Sequence, residues 1–105
     1  MKIPKQVKIG GHYYQVIFRD RVKEDGKDAP ASVDNKYNRI WIDNQWAESQ
    51  QETSFLHEII EAISWLWKLN FTEEQIRRWI AEGYGNKVER VEYDRIWNDY
   101  EVHLR

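Results

Sequence analysis

The chain contains no cysteine. Neither a disulfide framework nor a thiolate metal site is available to it, so any metal must be held by His, Asp or Glu. No Gly-rich phosphate loop is present: Gly10-Gly11 stands alone, without a following helix start or a Lys-Ser/Thr pair, and this excludes the mononucleotide-binding readings. A basic excess is missing as well. The formal net charge of −2 argues against a protein whose main task is coating nucleic acid, which needs a cationic footprint. No apolar run approaches the ~20 residues that span a bilayer, and the opening MKIPKQVKIGG has no apolar core of a signal peptide. A cytoplasmic protein without membrane contact is the expectation.

What the chain does have is aromatic bulk. Hydrophobic residues make up 41% and charged residues 32% of 105, with six Trp and six Tyr, enough for one folded domain with a real core. The charge is unevenly placed. Residues 1–19 hold Lys2, Lys5, Lys8 and Arg19 and no acid, whereas Asp43 to Glu74 holds seven acids against Lys68 alone. A basic sheet and an acidic helix is the simplest arrangement that this pattern describes.

Read in order, the chain predicts an α+β fold: a small antiparallel sheet of three to four strands opening with a hairpin, then two to three helices. Residues 1–45 form the β-rich part. Lys5–Ile9 and His12–Arg19 are β-favouring runs joined by Gly10-Gly11, and Ala31–Val33 and Arg39–Asp43 flank a turn at 34–38. Asp20–Pro30 reads as a mobile surface loop with no nameable chemistry. Residues 46–70 hold the core helix, with Phe55, Leu56, Ile59, Ile63, Leu66 and Trp67 in one stripe, His57, Glu61, Ser64 and Lys68 opposite, and Asn70 closing it. Thr72-Glu73-Glu74-Gln75 is a capping box that starts a second helix over 72–88, with Gly83 and Gly85 marking its end or a kink. Residues 89–105 form an aromatic tail read as a third helix.

The chemistry concentrates in His57-Glu58-Ile59-Ile60-Glu61. A helical His-Glu-x-x-His site places two metal ligands four residues apart on one face, and the glutamate after the first ligand polarises the water. Here His57 and Glu61 have the ligand spacing and Glu58 the general-base position, about 100° round the helix. Glu61 in place of the second imidazole adds negative charge, which weakens the Lewis acidity of zinc and widens the choice to manganese. A third ligand is required. Glu82 is the candidate, because a helix-borne glutamate after a short connection supplies it in the glutamate class of zinc peptidases; Glu73, Glu74 and Glu89 rank behind it. Glu82 lies well round the wheel from Ile76, Ile80 and Tyr84, so the second helix must approach the first obliquely.

These pieces resemble small phage and prophage proteins of metallopeptidase-like type. The matching residues are Val7–Gly11 with His12-Tyr13, Ile40–Asp43, Phe55–Ile63, Thr72–Gln75 and Ala81-Glu82-Gly83, which together span residues 1–85. The resemblance implies a minimal zincin-like fold with His57, Glu61 and Glu82 as metal ligands for zinc or manganese, Glu58 as the catalytic position, a peptide or protein substrate, and a host-cell cytoplasmic location. Two departures stand out. Glu61 replaces the histidine of active zinc peptidases, which leaves room for a degenerate relative without activity, and the tail from Glu89 extends beyond the family pattern.

A rival reading is a non-catalytic interaction protein, such as a phage inhibitor of a host defence complex. Its support is the acidic helix face and a tail whose Tyr93, Trp97 and Tyr100 are of the kind enriched at interface hot spots. Those aromatics have two other uses: docking back onto the domain, or forming a homodimer seam. Trp41 and Trp46 flank the helix entry and are candidates to line a peptide cleft, with packing as their default role. The remaining polar residues have plain alternatives as well: a wet helix face for Glu58 and Glu61, and surface positions for His12 and His103.

Overall fold

The computed structural model describes residues 2–85 and 97–104, with 81–85 described by backbone alone. The elements are β1 (Gln6–Ile9), β2 (His12–Arg19), β3 (Lys23–Glu24), β4 (Lys27–Asp28), β5 (Ala31–Asp34), β6 (Arg39–Asp43), α1 (Glu48–Trp67), α2 (Glu73–Gly85) and β7 (Val102–Leu104), with residues 97–99 also helical. The fold is α+β, as the hydrophobic periods predict.

Five strands form one sheet in the order β5-β6-β2-β1-β7, and β3-β4 is a separate small hairpin. β1 and β2 pair antiparallel with Val7 opposite Tyr14, turning at Gly10, whose φ of +61° suits glycine. The sheet departs from the all-antiparallel expectation at its centre. β6 runs parallel to β2, with Val16 level with Ile40 and Phe18 with Ile42. After β2 the chain passes through the small hairpin, lays β5 at the edge, and returns β6 into the place between them. β6 is thereby antiparallel to its hairpin mate β5 and parallel to β2.

The fifth strand is a second departure. Residues 102–104, read from sequence as the end of a helix, pair with β1 instead, Ile9 opposite Val102. The N–H of Gly10 donates to the carbonyls of Tyr100 and Glu101, at 3.1 and 3.2 Å. The edge of β1 is thus covered by the chain's own C-terminal part, which satisfies backbone groups that a bare edge leaves unpaired.

The buried face of the sheet carries Val7, Ile9, Tyr14, Val16, Ile40 and Ile42. Against it α1 buries Phe55, Leu56, Ile59, Ile60, Ala62 and Ile63. α2 packs on α1 and adds Ile76, Trp79 and Ile80 to the same core. Phe71, just before α2, meets Trp79 edge-on at 4.7 Å. Such a fully buried aliphatic side chain contributes enough that truncation to alanine costs about 2–5 kcal/mol.

Candidate metal centre

α1 begins at Glu48, within the range that the sequence allows, and ends at Lys68 rather than Asn70. Lys68 takes the left-handed conformation (φ 54°, ψ 49°), and its N–H reaches the carbonyls of Ser64 and Trp65. The Ser64 hydroxyl donates to the Leu69 carbonyl at 2.7 Å. These bonds fold the chain back along α1 until α2 starts. The capping box is formed as the sequence predicts: the Thr72 N–H donates to Gln75 Oε1 at 2.9 Å, and the Gln75 N–H to Thr72 Oγ1 at 3.1 Å. Glu73, the first residue of α2, is thereby held over the polar side of α1.

His57, Glu61 and Glu73 come together there, with one donor atom of each within 4.8 Å of the others. His57 Nε2 lies 3.3 Å from Glu61 Oε1 and 3.8 Å from Glu73 Oε2. Two donors on ~2.0–2.1 Å bonds at a tetrahedral metal stand about 3.3 Å apart. The first pair already meets that spacing, and the Glu73 side chain, 64% exposed, has the freedom to meet it. One neutral imidazole and two carboxylates suit zinc or manganese.

Glu82 lies nine residues beyond Glu73 on α2, about 13 Å further along the helix axis; its side chain is outside the described residues, as are Glu89 and Tyr93. The signal for Glu73 was its place in the capping box. The backward turn at Lys68, which brings that box to His57, has no glycine to announce it.

Glu58 is not on a wet helix face. It is 6% exposed, and its carboxyl is pushed up to about 8, first by burial and then by the negative charges of Glu24, Glu61 and Glu73. The Glu61 carboxyl is raised too, by burial foremost, with His57 pulling it down and Glu73 and Glu24 pushing it up. The site concentrates negative charge that a divalent cation offsets.

Glu24 comes from the stretch expected to be a mobile loop without chemistry. That stretch contains the β3-β4 hairpin, Lys23 opposite Asp28, and it is fastened to the sheet. The buried Asp43 carboxylate accepts from the Val22 N–H at 3.2 Å and the Gln45 N–H at 2.9 Å. Two residues past Val22, Glu24 stands close enough for its charge to act on Glu58.

Beside Glu61 opens a groove of about 670 Å³, bordered by Asn35, Ser64, Trp65 and Leu69 among others. Asn35 is held by the buried Tyr14, whose hydroxyl donates to Asn35 Oδ1 at 2.8 Å. Trp65, 64% exposed, forms part of its wall.

The tail aromatics within the described residues pack onto the domain itself. Trp97 and Tyr100 rest against the core, and Tyr100 meets Trp67 edge-on at 4.9 Å. No helix among the described residues is long and apolar enough to cross a membrane. In comparison with known proteins, the chain matches no family model, no curated protein and no solved structure.

Proposed function

We propose that this chain is a divalent-metal protein of zincin-like type, built to hydrolyse peptide bonds, with His57, Glu61 and Glu73 as ligands and Glu58 as general base. The observation that carries the reading is the convergence of the three donor groups, two from successive turns of α1 and one from α2, beside a buried glutamate at the base position. A divalent cation bound there supplies Lewis-acid polarisation of the scissile carbonyl and of the attacking water.

The chain's own residues do the rest. His57 would offer Nε2 and Glu61 and Glu73 carboxylate oxygens to the cation, two negative charges that would leave its pull on water milder than two imidazoles would. Glu58 accepts the proton of the attacking water and delivers it to the departing amine. In the metal-free protein its carboxyl, raised to about 8, keeps a proton at neutral pH, and the positive charge of a bound cation would lower it towards the ionised form that the base role needs. The groove beside Glu61 takes the peptide, with Trp65 against an apolar side chain. Phage or prophage origin and action in the host cytoplasm belong to the same reading and rest on the resemblance of the motifs alone.

The test is metal content and hydrolysis together. Protein purified without chelator should hold close to one zinc or manganese per chain, and His57→Ala should lose it while keeping the wild-type circular dichroism. Metal-loaded protein should cleave an unstructured protein such as casein, and Glu58→Gln should abolish cleavage with the metal retained. A metal-free preparation that takes up neither ion on dialysis would end the proposal.

A further inference from the structure

The face of the sheet turned away from α1 carries a different chemistry. Alternation along the strands puts Lys8, Tyr13, Gln15, Arg39 and Trp41 there, with Lys8 opposite Tyr13 and Gln15 level with Arg39. All are exposed or half-buried, while their neighbours Val7, Tyr14, Val16, Ile40 and Ile42 point into the core. α1 lies on the core side and α2 packs on α1, so neither helix covers this face.

Its cations and rings are paired. Lys8 Nζ stands 5.7 Å from the centre of the Tyr13 ring, and the Arg19 guanidinium 5.1 Å from Trp41. At the turn leading into β6, Lys36 and Arg39 stand 5.4 and 5.5 Å from the Tyr37 ring, and Tyr37 is 60% exposed. Asp34, opposite Arg39 in the β5–β6 pair, accepts the N–H groups of Lys36 and Tyr37 on its Oδ1. Among the described residues, three aromatic stations, each with a cation at hand, thus lie on a sheet face that α1 and α2 leave uncovered.

We infer that this face binds single-stranded nucleic acid, with bases stacking on Tyr13, Tyr37 and Trp41 and phosphates met by Lys8, Arg19, Lys36 and Arg39. Flat rings interleaved with cations are what a strand with splayed bases and a charged backbone fits. An acidic peptide or an anionic lipid surface engages the cations and makes no use of the rings as stacking surfaces. The net charge of −2 does not oppose this, because it averages two separate sides. The acids Glu24, Glu58, Glu61 and Glu73 gather around α1, on the core side of the sheet. The inference is independent of the metal centre.

The test is fluorescence anisotropy of the full-length protein with labelled oligothymidylate and oligouridylate of about 15 nucleotides, within the usual site size. Four phosphate contacts predict a log–log salt slope of about −3 for a single strand. Tyr37→Ala, at an exposed turn position that leaves the fold intact, should weaken binding about tenfold, as loss of one stacked base does, and Arg39→Gln should weaken it and flatten the slope. Arg78→Gln, an exposed cation on α2, should bind as the parent does. Absence of binding at about 50 mM salt overturns the inference. So does unchanged affinity in both Tyr37→Ala and Arg39→Gln, or displacement of the oligonucleotide by polyglutamate or phosphatidylserine vesicles as effectively as by unlabelled strand.

Discussion

His57 Nε2 and Glu61 Oε1 face each other at 3.3 Å across one turn of α1. When Nε2 carries the proton it donates to Glu61; when it does not, both atoms are free to share a cation. The same short contact would therefore serve the protein with and without the proposed metal. Zinc titration by calorimetry should show His57→Ala and Glu61→Ala each losing more than about a hundredfold in affinity, since even partners outside the ligand shell are worth ~10–100-fold. Glu73→Ala should lose less, because its side chain is 64% exposed and stands farther from His57, and Glu82→Ala should bind as the parent. An order with Glu82 ahead of Glu73 would reassign the third ligand.

In the proposed centre Glu61 would also set the strength of the Lewis acid. Replacing it with histidine removes one negative charge while keeping a donor at the same helical position. Zinc-loaded Glu61→His should hydrolyse peptide faster than the parent, with its rate profile moved to lower pH, as expected when water beside the metal becomes more acidic. Steady-state rates across a pH series check this, and a variant slower than the parent at every pH would contradict it.

Glu58 gives the metal-free protein an unusual pH dependence. Its folded carboxyl is raised to about 8 from an ordinary value of 4.5, so between those limits the native state holds a proton that the unfolded chain releases. Stability of the metal-free protein should then fall as pH rises from 4.5 towards 8 and level off above, a loss on the order of 5 kcal/mol. Glu58→Gln should flatten that slope and be the more stable protein at pH 8. Urea midpoints in chelator at several pH values check both statements, and parallel curves for the two proteins would remove Glu58 as the source.

How much of this could be read from residues alone follows from range. The capping box at Thr72, the apolar stripe of α1 and the alternation of Tyr14 and Val16 are local patterns, and each stands in the structure where its period places it. The partner and direction of β6 are not local. Alternation assigns Ile40 and Ile42 to a face but says nothing of whether β2 lies beside them parallel or antiparallel. The pairing of Val102 with Ile9 depends on the chain returning across more than ninety residues, and its short run of three residues carries no periodic signal. Glu73 and Glu24 reach the site through a left-handed lysine and a buried aspartate, neither of which has a distinctive spacing. The His57–Glu61 pair was legible because one helical turn fixes it.

The capping box has a second consequence, because it orients the residue that follows the cap. Thr72→Ala removes the Oγ1 acceptor of the Gln75 N–H and should cost about 1 kcal/mol of stability. The first turn of α2 carries Glu73, so zinc affinity should fall by about tenfold, as loss of an orienting partner does. Thr72→Ser, which retains the hydroxyl, should restore both. Restored stability without restored affinity would mean that the cap supports the helix but does not place the ligand.

Gly10 joins the hairpin, α1 and the C-terminal strand at one point. Its φ is +61°, and a Cβ there would sit 2.8 Å from Cη2 of Trp67, whose ring is backed by Tyr100. Gly10→Ala should therefore suffer twice: from the left-handed conformation, about 1–2 kcal/mol for a residue with a Cβ, and from displacement of the Trp67 ring. A double-mutant cycle separates the two. In a Trp67→Ala background the same substitution should lose only the conformational part, leaving a coupling of about 1 kcal/mol between the positions. Equal losses in both backgrounds would show that the ring yields freely, and that Gly10 is required by its backbone alone.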